Sequence, residues 1–410
     1  MVCSLVLASV ALAAQGAPVP VPVAPPPTLE FEALTLEQGI QGATPQLSRS
    51  ADGSIHLIWV ADTEVEGEAS LQYLRWTDGK WSTPYALEKG RGWFRNWADF
   101  PQFREGAEGA ALVTWLAYAA DGKSYGIMYR KRREAGAAWS MPEVLHQDRE
   151  AVEHGFVSLV PLAEGRFFAN WLQSEKEGPP TALMGAIVGS DGVMQEEQVL
   201  DALVCDCCGT DSVVLPSGRV LIAYRDRSEE EIRDIRVLKG MPGEPESWGD
   251  PTAVGQERWR TASCPVNGPA LDADGSFVAL AFFSGGGRTG TSVRLAFSRG
   301  GGQRWMPAKI LAGGKQVLGR VDVAVMPDKG PVVVSWLEKT EEGAVWCARA
   351  IPRQGAMGPI LRFAEVQGGR NDGFLQLVSH PEGVLTARHN PENDSIQLGM
   401  LKFAKRKPTK

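Results

Sequence analysis

The sequence predicts an all-β fold, a β-propeller of seven four-stranded blades. Three observations predict it: a short turn that ends in glycine recurs seven times, apolar β-forming runs flank each turn, and an aromatic residue follows most turns at a fixed distance. One sheet of this size cannot bury both of its faces alone. Seven such sheets arranged radially stack face to face, which is the architecture of a propeller.

The recurring turn sets the period of the repeat. It reads ADG, AEG, AEG, PSG, ADG, DKG and PEG, and successive glycines are 56, 56, 53, 57, 55 and 53 residues apart. Each turn joins two apolar runs, as a β-hairpin requires. The turn glycines are Gly53, Gly109, Gly165, Gly218, Gly275, Gly330 and Gly383.

An aromatic position identifies the second strand of each unit. It falls six residues after the glycine in most units and one residue later in the fifth, whereas the seventh unit has His389 at this position. The regular spacing predicts that the aromatic side chains pack between blades. They are Trp59, Trp115, Trp171, Tyr224, Phe282 and Trp336.

Each unit continues with a third and a fourth strand, and the last unit predicts how the ring closes. LQYLRW is one of the third strands and KWSTPYAL is one of the fourth strands. The seventh unit ends after its third strand, whereas LEFEALTLEQG, before the first unit, reads like a fourth strand. We therefore predict that residues 28–38 pair beside strand 395–403, which leaves no exposed sheet edge.

The chain divides into four segments. We predict a signal peptide at residues 1–17, a proline-rich linker at 18–27, the propeller at 28–403 and a basic tail at 404–410. The apolar run near the N-terminus ends in small residues, with an A-x-A pattern at Ala11–Ala13. This run is shorter than the roughly 20 residues of a transmembrane helix. We therefore expect an extracytoplasmic protein, periplasmic or secreted, in which disulfides are permitted.

Charge and motifs limit the partners. The 410-residue chain has a net charge of −7, which argues against a nucleic-acid surface because such surfaces use clustered lysine and arginine. The sequence holds no P-loop, no Rossmann glycine fingerprint and no His-Glu-x-x-His motif. We expect a monomer that requires no cofactor and binds a glycan or another small molecule at the mouth of its channel.

Two turns and one blade carry a family resemblance. SRGGGQRWMPAKIL and RWTDGKWSTPYAL resemble the Asp-box repeat, S-x-D-x-G-x-x-W, of sialidases and related propellers. VLIAYRDRSEEEIRDIRVLKG resembles the corresponding blade of sialidase-like exported bacterial proteins, and the resemblance covers most of residues 45–403. It implies a propeller, with a six-bladed ring of the sialidase type as the alternative to seven blades. It also implies a glycoside hydrolase acting on sialic-acid-type or other acidic glycans.

The resemblance also implies a set of catalytic residues. Sialidases use three arginines that clamp a carboxylate, a tyrosine–glutamate pair and an aspartate. The Phe-Arg-Ile-Pro motif of the first blade is absent, and GATPQL stands in its place. The candidates for an alternative clamp are Arg225, Arg320 and Arg388. Asp99 and Asp226 are the candidates for the acid, and Tyr224 is the candidate for the nucleophile. For each charged residue a rim salt bridge is the competing interpretation, and for Tyr224 it is blade packing.

The connections of a propeller predict which residues ring the mouth of the channel. The loops between second and third strands and the connections between blades share one face, and the innermost strands start there. Trp93 and Trp97 fall outside the aromatic repeat, so we weigh a sugar-stacking role for them. The candidate ligand-binding residues on this face are Trp97, His154, Asn267, Asp322, Asp372 and His389.

Four of the six cysteines lie just before two consecutive innermost strands, in CDCCGTD and ASCPVNGPAL. One interpretation is disulfide bonding, with Cys205 or Cys207 joined to Cys264 and two bridges in all. A second is a copper or zinc site on the thiolates, with His154 as a further ligand. A strained bridge between the neighbours Cys207 and Cys208 is a variant of the disulfide interpretation, and a redox-active pair among the four cysteines is the third interpretation. These cysteines and the missing first-blade motif favour the alternative function, a non-catalytic propeller that binds a ligand, metal or protein at its cysteine-rich rim.

Overall fold

A computed structural model describes residues 25–36, 39–175 and 178–405 of the chain. The predicted signal peptide, most of the predicted linker and most of the basic tail lie outside these residues. The described residues form seven antiparallel sheets, each with four main strands, so the seven-bladed prediction is confirmed and the six-bladed alternative is wrong. None of the described helical segments has the length and apolarity that a membrane crossing requires.

The strand boundaries follow the repeat. Strand β1 spans Leu29–Leu34, and the strands of blades one to three are β2 (Ala43–Arg49), β3 (Ile55–Asp62), β4 (Glu68–Thr77), β5 (Lys80–Trp81), β6 (Tyr85–Arg91), β7 (Gln102–Glu105), β8 (Ala111–Tyr118), β9 (Tyr125–Arg132), β10 (Glu143–Val144), β11 (His154–Pro161), β12 (Phe167–Glu175), β13 (Gly178–Val188) and β14 (Met194–Val204). Those of blades four and five are β15 (Asp211–Val214), β16 (Val220–Arg225), β17 (Ile235–Gly240), β18 (Thr252–Ala253), β19 (Ala270–Asp274), β20 (Phe277–Ser284), β21 (Ser292–Ser298) and β22 (Lys309–Gly313). Those of blades six and seven are β23 (Val317–Val325), β24 (Val332–Lys339), β25 (Ala344–Ile351), β26 (Leu361–Val366), β27 (Gln376–His380), β28 (Gly383–Asn390) and β29 (Ser395–Phe403). Short 3-10 turns form at Ala107–Gly109, Ala163–Gly165, Pro245–Ser247 and Arg370–Asp372.

The first strand closes the ring. β1 pairs antiparallel with β29, from Leu29 opposite Phe403 to Leu34 opposite Leu398, and so becomes the outermost strand of blade seven. The Phe31 ring also packs on Phe363 of blade six, with ring centroids 4.7 Å apart. The predicted closure is therefore confirmed.

Apolar side chains fill every interface between neighbouring blades. Seven separate clusters of buried residues each combine the facing strands of two consecutive blades, including blades seven and one. The repeated aromatic residues belong to these clusters, and all six are at most 6% exposed. Their predicted packing role is confirmed, and that includes Tyr224. Cys347 in β25 is also buried, as its place in a third strand predicts.

The innermost strands line a central channel of about 430 Å³. One position of each innermost strand faces it, and blades four to six place an aspartate there. The residues at this position are Gln46, Gln102, Ser158, Asp211, Asp272, Asp322 and Gln376.

A left-handed residue precedes the channel position in three blades. Thr44, Phe156 and Arg320 have φ values of 53°, 55° and 54° and stand two residues before the channel-facing residue. The strand register shifts at each of these points, as in a β-bulge. Non-glycine residues seldom adopt this conformation, and such strain concentrates at functional sites. The bulges therefore mark the mouth of the channel.

Candidate functional site

An aromatic group forms one wall of a pocket at the channel mouth. Trp97 stacks on Phe374 with ring centroids 6.0 Å apart, and Phe100 meets Phe374 edge-on at 5.7 Å. The pocket has a volume of about 120 Å³, and Phe100 and Phe374 also line the channel, so the two spaces adjoin. Its other lining residues include Thr44, Arg95, Asn96, Asn371 and His389. We call it the mouth pocket.

Polar groups on the rim of the mouth pocket are paired with carboxylates. His389 places Nδ1 2.8 Å from the carbonyl oxygen of Asn371 and Nε2 2.8 Å from Oδ1 of Asp394. Both partners are acceptors, so both bonds form together only when the imidazole carries two N–H groups. Arg95 forms an ion pair with Asp62. His389 and Arg95 on the rim thus each lie beside a carboxylate, that of Asp394 and that of Asp62.

Arg320 holds the loop that precedes blade seven. Its guanidinium donates from Nη1 to the carbonyl oxygen of Gly373 and from Nη2 to that of Gly369, each at 2.9 Å, and it covers the Trp97 ring at 4.7 Å. Burial lowers the pKa of Arg320, whereas the charge of Asp372 raises it. The side chain is 8% exposed. Its terminal nitrogens are engaged with backbone before any ligand arrives.

Arg225 donates hydrogen bonds to backbone carbonyls from all three of its guanidinium nitrogens. Its guanidinium donates to the carbonyl oxygen of Asn267 from Nε at 3.1 Å and from Nη2 at 2.7 Å, and to those of Arg233 and Phe283 at 2.7 and 2.8 Å. It also stacks on Trp259 at 5.0 Å and is 2% exposed. We expected Arg225 to point into the channel mouth. Instead it binds backbone carbonyls between blades four and five, because a fully buried guanidinium needs acceptors for its donors.

Asp372 lies between the remaining clamp candidates. It raises the pKa of both Arg320 and Arg388 by its charge, whereas burial lowers the pKa of each arginine. The carboxylate of Asp372 is 1% exposed, and neither oxygen has a hydrogen-bond partner among the described residues. Arg388 lines a second cavity, beside Phe31 and Phe363 between blades six and seven. Arg320 and Arg388 therefore share Asp372 as a neighbouring charge, whereas Arg225 lies apart from them between blades four and five.

Tyr224 and Asp226 lie between blades three and four. The hydroxyl of Tyr224 donates to Oδ2 of Asp201 at 2.6 Å, and Asp226 forms an ion pair with Arg236. Tyr224 is 1% exposed, and burial raises the pKa of both Tyr224 and Asp226. A raised tyrosine pKa opposes the ionisation that a nucleophile needs.

Asp99 lines the channel beside the mouth pocket. Its Oδ2 accepts the backbone N–H of Phe156 at 2.7 Å. Burial raises the pKa of Asp99 to about 7, although the bond from Phe156 lowers it, and the charge of Glu153 raises it further. Gly155 permits this approach, because a Cβ there would come within 2.3 Å of Oδ2. Asp99 is therefore a carboxyl group that can hold a proton near neutral pH.

The three channel aspartates join consecutive blades. Oδ2 of Asp211, Asp272 and Asp322 accepts a backbone N–H of the next innermost strand at 2.7, 2.6 and 2.6 Å. Burial raises the pKa of all three, to about 6 for Asp211 and about 7 for Asp272. Asp322, a candidate ligand residue, thus also carries a structural bond to Leu377.

His154 lies in a different environment from the cysteines. Its imidazole stacks on that of His146 with ring centroids 3.6 Å apart, and its Nε2 lies 3.3 Å from Oδ2 of Asp148. Burial lowers the pKa of His154 and lowers that of His146 to about 4. Among the described side chains, His154 belongs to neither group whose ligand atoms converge within 4.8 Å around the cysteines. The structure therefore does not place it as a ligand to a thiolate-bound metal.

The cysteines form one disulfide and one pair of thiols. Cys207 is bonded to Cys264 with a Cα–Cα distance of 6.0 Å, which confirms one of the two predicted partners of Cys264. The expected second bridge is wrong, because Cys205 and Cys208 are free thiols whose Sγ atoms lie 3.3 Å apart. The disulfide links the connections that lead into blades four and five.

The two thiols differ in their surroundings. Sγ of Cys205 lies 3.3 Å from Sγ of Cys208, and it accepts a hydrogen bond from Nη1 of Arg233 at 3.3 Å. The neighbouring Cys208, the charge of Arg225 and the bond from Arg233 lower the pKa of Cys205 to about 6, although burial opposes them. Burial and the neighbouring Cys205 raise the pKa of Cys208, whose Sγ accepts the backbone N–H of Asn267 at 3.4 Å. Cys205 is therefore the thiol that ionises first.

Sequence reasoning missed several of these residues. Phe100 and Phe374 stand two residues before the channel glutamines Gln102 and Gln376, so an alignment of innermost strands would have found them. Arg233 lies in the run RSEEEIRD, which reads as a solvated loop, yet its side chain is only 4% exposed. Trp93 packs on Trp115 within the interface of blades one and two. Only Trp97 of the two irregular tryptophans reaches the mouth pocket.

Comparisons with known proteins show similarity of fold. No family model matches the chain, and no curated protein sequence matches it. An ulvan lyase, a polysaccharide lyase solved with a glucuronic acid and sulfated rhamnose glycan, aligns with a TM-score of 0.54 and 10% identity over 92% of this chain and 98% of its own. A protein of unknown function from Dyadobacter fermentans aligns with a TM-score of 0.49 and 13% identity, over 92% of this chain and 98% of its own. The NanB sialidase of Streptococcus pneumoniae aligns with a TM-score of 0.44 and 9% identity, over 93% of this chain and 71% of its own. The alignment with the ulvan lyase shows that the two chains share a fold, and at 10% identity it shows the fold alone.

Proposed function

We propose that this chain is a carbohydrate-binding propeller whose ligand occupies the mouth pocket. The observation that carries the proposal is the aromatic wall of Trp97, Phe100 and Phe374 beside polar groups at the opening of the channel. Small-molecule sites combine apolar and aromatic walls with a few placed polar groups in this way. The ulvan lyase is a carbohydrate-active propeller of the same fold, which agrees with the proposal.

Binding is favoured over the hydrolysis of sialosides. A carboxylate clamp needs guanidinium N–H groups that are free to meet the substrate. The guanidinium groups of Arg225 and Arg320 donate to backbone carbonyls, and Arg388 lines a separate cavity. We therefore propose recognition through ring stacking and hydrogen bonds, with acidic and neutral glycans as the classes to compare.

Asp99 supports a second candidate function, glycoside hydrolysis in the channel. A general acid must hold a proton at the working pH, and burial raises the pKa of Asp99 to about 7. The carboxyl group lines the channel two residues after Trp97. A sugar held in the mouth pocket would lie at the end of the channel that contains this acid.

A glycan array followed by calorimetry tests the first proposal. Trp97→Ala should lower the affinity for the best ligand at least tenfold, whereas Trp139→Ala should leave it unchanged. Trp139 is the matched control because it packs on Arg132 and Phe103 outside the mouth pocket. Equal affinities of wild type and Trp97→Ala, with both proteins folded, would remove the mouth pocket as the site.

Turnover assays separate the two functions. If the protein hydrolyses its glycan, Asp99→Asn should abolish product formation and leave the binding affinity within about threefold, since amide and acid differ in proton donation. Binding without turnover of sialosides and uronic acid glycosides by the wild type supports the binding function.

We further propose an extracytoplasmic location, because the Cys207–Cys264 disulfide suits an oxidising compartment.

A further inference from the structure

A thiol in the cysteine loop lies next to both another thiol and a disulfide. Sγ of Cys205 is 3.3 Å from Sγ of Cys208 and 3.9 Å from Sγ of Cys207, which is bonded to Cys264. Cys205 and Cys208 are buried, Cys207 is half-buried and Cys264 is exposed. None of these four cysteines lines the mouth pocket, so the cluster is separate from the proposed carbohydrate site.

Two arginines surround the sulfur of Cys205 with positive charge. Arg233 donates from Nη1 at 3.3 Å, and the guanidinium of Arg225 lies close enough to favour the thiolate by its charge. Both arginines are fixed, Arg233 by Glu231 and Arg225 by backbone carbonyls. A thiolate, and not a thiol, attacks a disulfide. The same positive charge disfavours a metal cation at these sulfurs.

We propose that the cluster is a thiol–disulfide exchange site that moves the disulfide from Cys207–Cys264 to Cys205–Cys208. The Cys205 thiolate attacks Sγ of Cys207, forming the Cys205–Cys207 bond, breaking the Cys207–Cys264 bond and releasing Cys264 as a thiolate. Cys208 then loses its proton to that thiolate and attacks Sγ of Cys205, which releases Cys207. One disulfide and two thiols are present before and after, so no external oxidant is needed.

The exchange changes what the disulfide connects. Cys207–Cys264 joins the loops leading into blades four and five across 57 residues, whereas Cys205–Cys208 closes a ring within one loop. The second isomer removes the covalent link between the blades. It also leaves a thiol at the exposed Cys264, where an external disulfide of a small molecule or protein can react by the same chemistry.

Trypsin distinguishes the isomers directly. Cleavage after Lys176, Arg219, Arg260 and Arg288 places Cys205, Cys207 and Cys208 on peptide 177–219 and Cys264 on peptide 261–288. The protein is incubated without reductant in EDTA at pH 8, acidified, unfolded and alkylated before digestion. We expect the cross-linked pair of peptides to decline while peptide 177–219 with an internal disulfide and alkylated 261–288 increase.

Variants identify the attacking and resolving thiols. Cys205→Ser should keep only the cross-linked peptides, and Cys208→Ser should accumulate the Cys205–Cys207 intermediate with alkylated Cys264. Cys347→Ala is the matched control, because Cys347 is a buried thiol in blade six, and it should exchange like the wild type. Cross-linked peptides alone, in wild type and in Cys208→Ser at every time point, would overturn the proposal. Stoichiometric copper or zinc with four reduced rim thiols would replace it with a metal site.

Discussion

Oδ1 of Asn267 accepts the backbone N–H of Arg320 at 2.6 Å, and this bond holds Arg320 in a left-handed conformation. The amide nitrogen of Asn267 donates to the carbonyls of Pro265 and Leu318, and its own carbonyl accepts two bonds from Arg225. One asparagine therefore connects the mouth-side loops of blades four, five and six. It links the cysteine loop to the base of the mouth pocket.

Replacing this asparagine should destabilise the propeller. Asn267→Ala leaves a buried N–H of Arg320 and the carbonyls of Pro265 and Leu318 without partners, so we expect a loss of about 2–4 kcal/mol in the free energy of unfolding. Urea denaturation measures it. Asn390→Ala is the control and should cost less than about 1 kcal/mol, because its Oδ1 accepts only an exposed N–H from Glu392. Equal losses in the two variants would contradict the role of Asn267.

Ring closure depends on the space above Gly399. A Cβ at this position would come within 2.2 Å of the Phe31 ring, which β1 packs against Phe363. Gly399→Ala should therefore displace β1 and cost about 1–3 kcal/mol in urea unfolding, with more aggregation by light scattering. Gly90→Ala is the matched control, since a Cβ there meets no atom within 4 Å. Unchanged stability of Gly399→Ala would show that β1 adds nothing to the closed ring.

The buried carboxyl of Asp99 should make stability depend on pH. Its pKa is raised to about 7 from about 4 in the unfolded chain, so the folded state binds the proton more tightly. The stabilisation is fully present below pH 4 and is lost as pH rises through 7. The melting temperature of the wild type should therefore fall between pH 5 and pH 8 relative to that of Asp99→Asn.

The comparison with Asp99→Asn separates the effect of Asp99 on the pH dependence of stability from the opposite effect of buried histidines. Burial lowers the pKa of His56 to about 3 and that of His146 to about 4. Because the unfolded chain binds these protons more tightly, both histidines destabilise the folded protein as the pH falls below 6.5. Both proteins contain them, and their effect cancels in the difference. A constant difference in melting temperature from pH 5 to pH 8 would refute the raised pKa of Asp99.

Arg233 should control the ionisation of Cys205. Its Nη1 donates to the sulfur at 3.3 Å, and the pKa of Cys205 is lowered to about 6. Arg233→Met removes the donor and the charge, so the thiolate absorbance in the ultraviolet should titrate about 1 pH unit higher than in wild type. Arg227→Met is the control, because Arg227 pairs with Glu231 and makes no contact with the sulfur. Identical thiolate titrations of Arg233→Met and the wild type would exclude the interaction.

Local patterns in the sequence were enough to predict the number of blades and the way the ring closes. Glycine turns about 55 residues apart, flanking β-formers and a periodic aromatic residue are local signals that each blade repeats. The placement of β1 beside β29 followed from counting strands, because a propeller leaves no unpaired edge. The proximity of Cys207 to Cys264 followed from the same count, since both precede neighbouring innermost strands.

Contacts between neighbouring blades determine which side chains are available to a ligand and which stabilise the fold, and these contacts are visible only in the folded chain. Arg225 and Arg320 looked alike as mouth arginines, yet carbonyls from residues up to 58 positions away occupy their guanidinium groups. The structure also chose Cys207 over Cys205 for the disulfide and left Cys205 beside Arg233. Such outcomes depend on where a loop from one blade meets a loop from the next. A bulge of one residue turns a side chain to the other face, and no local pattern in the chain records that turn.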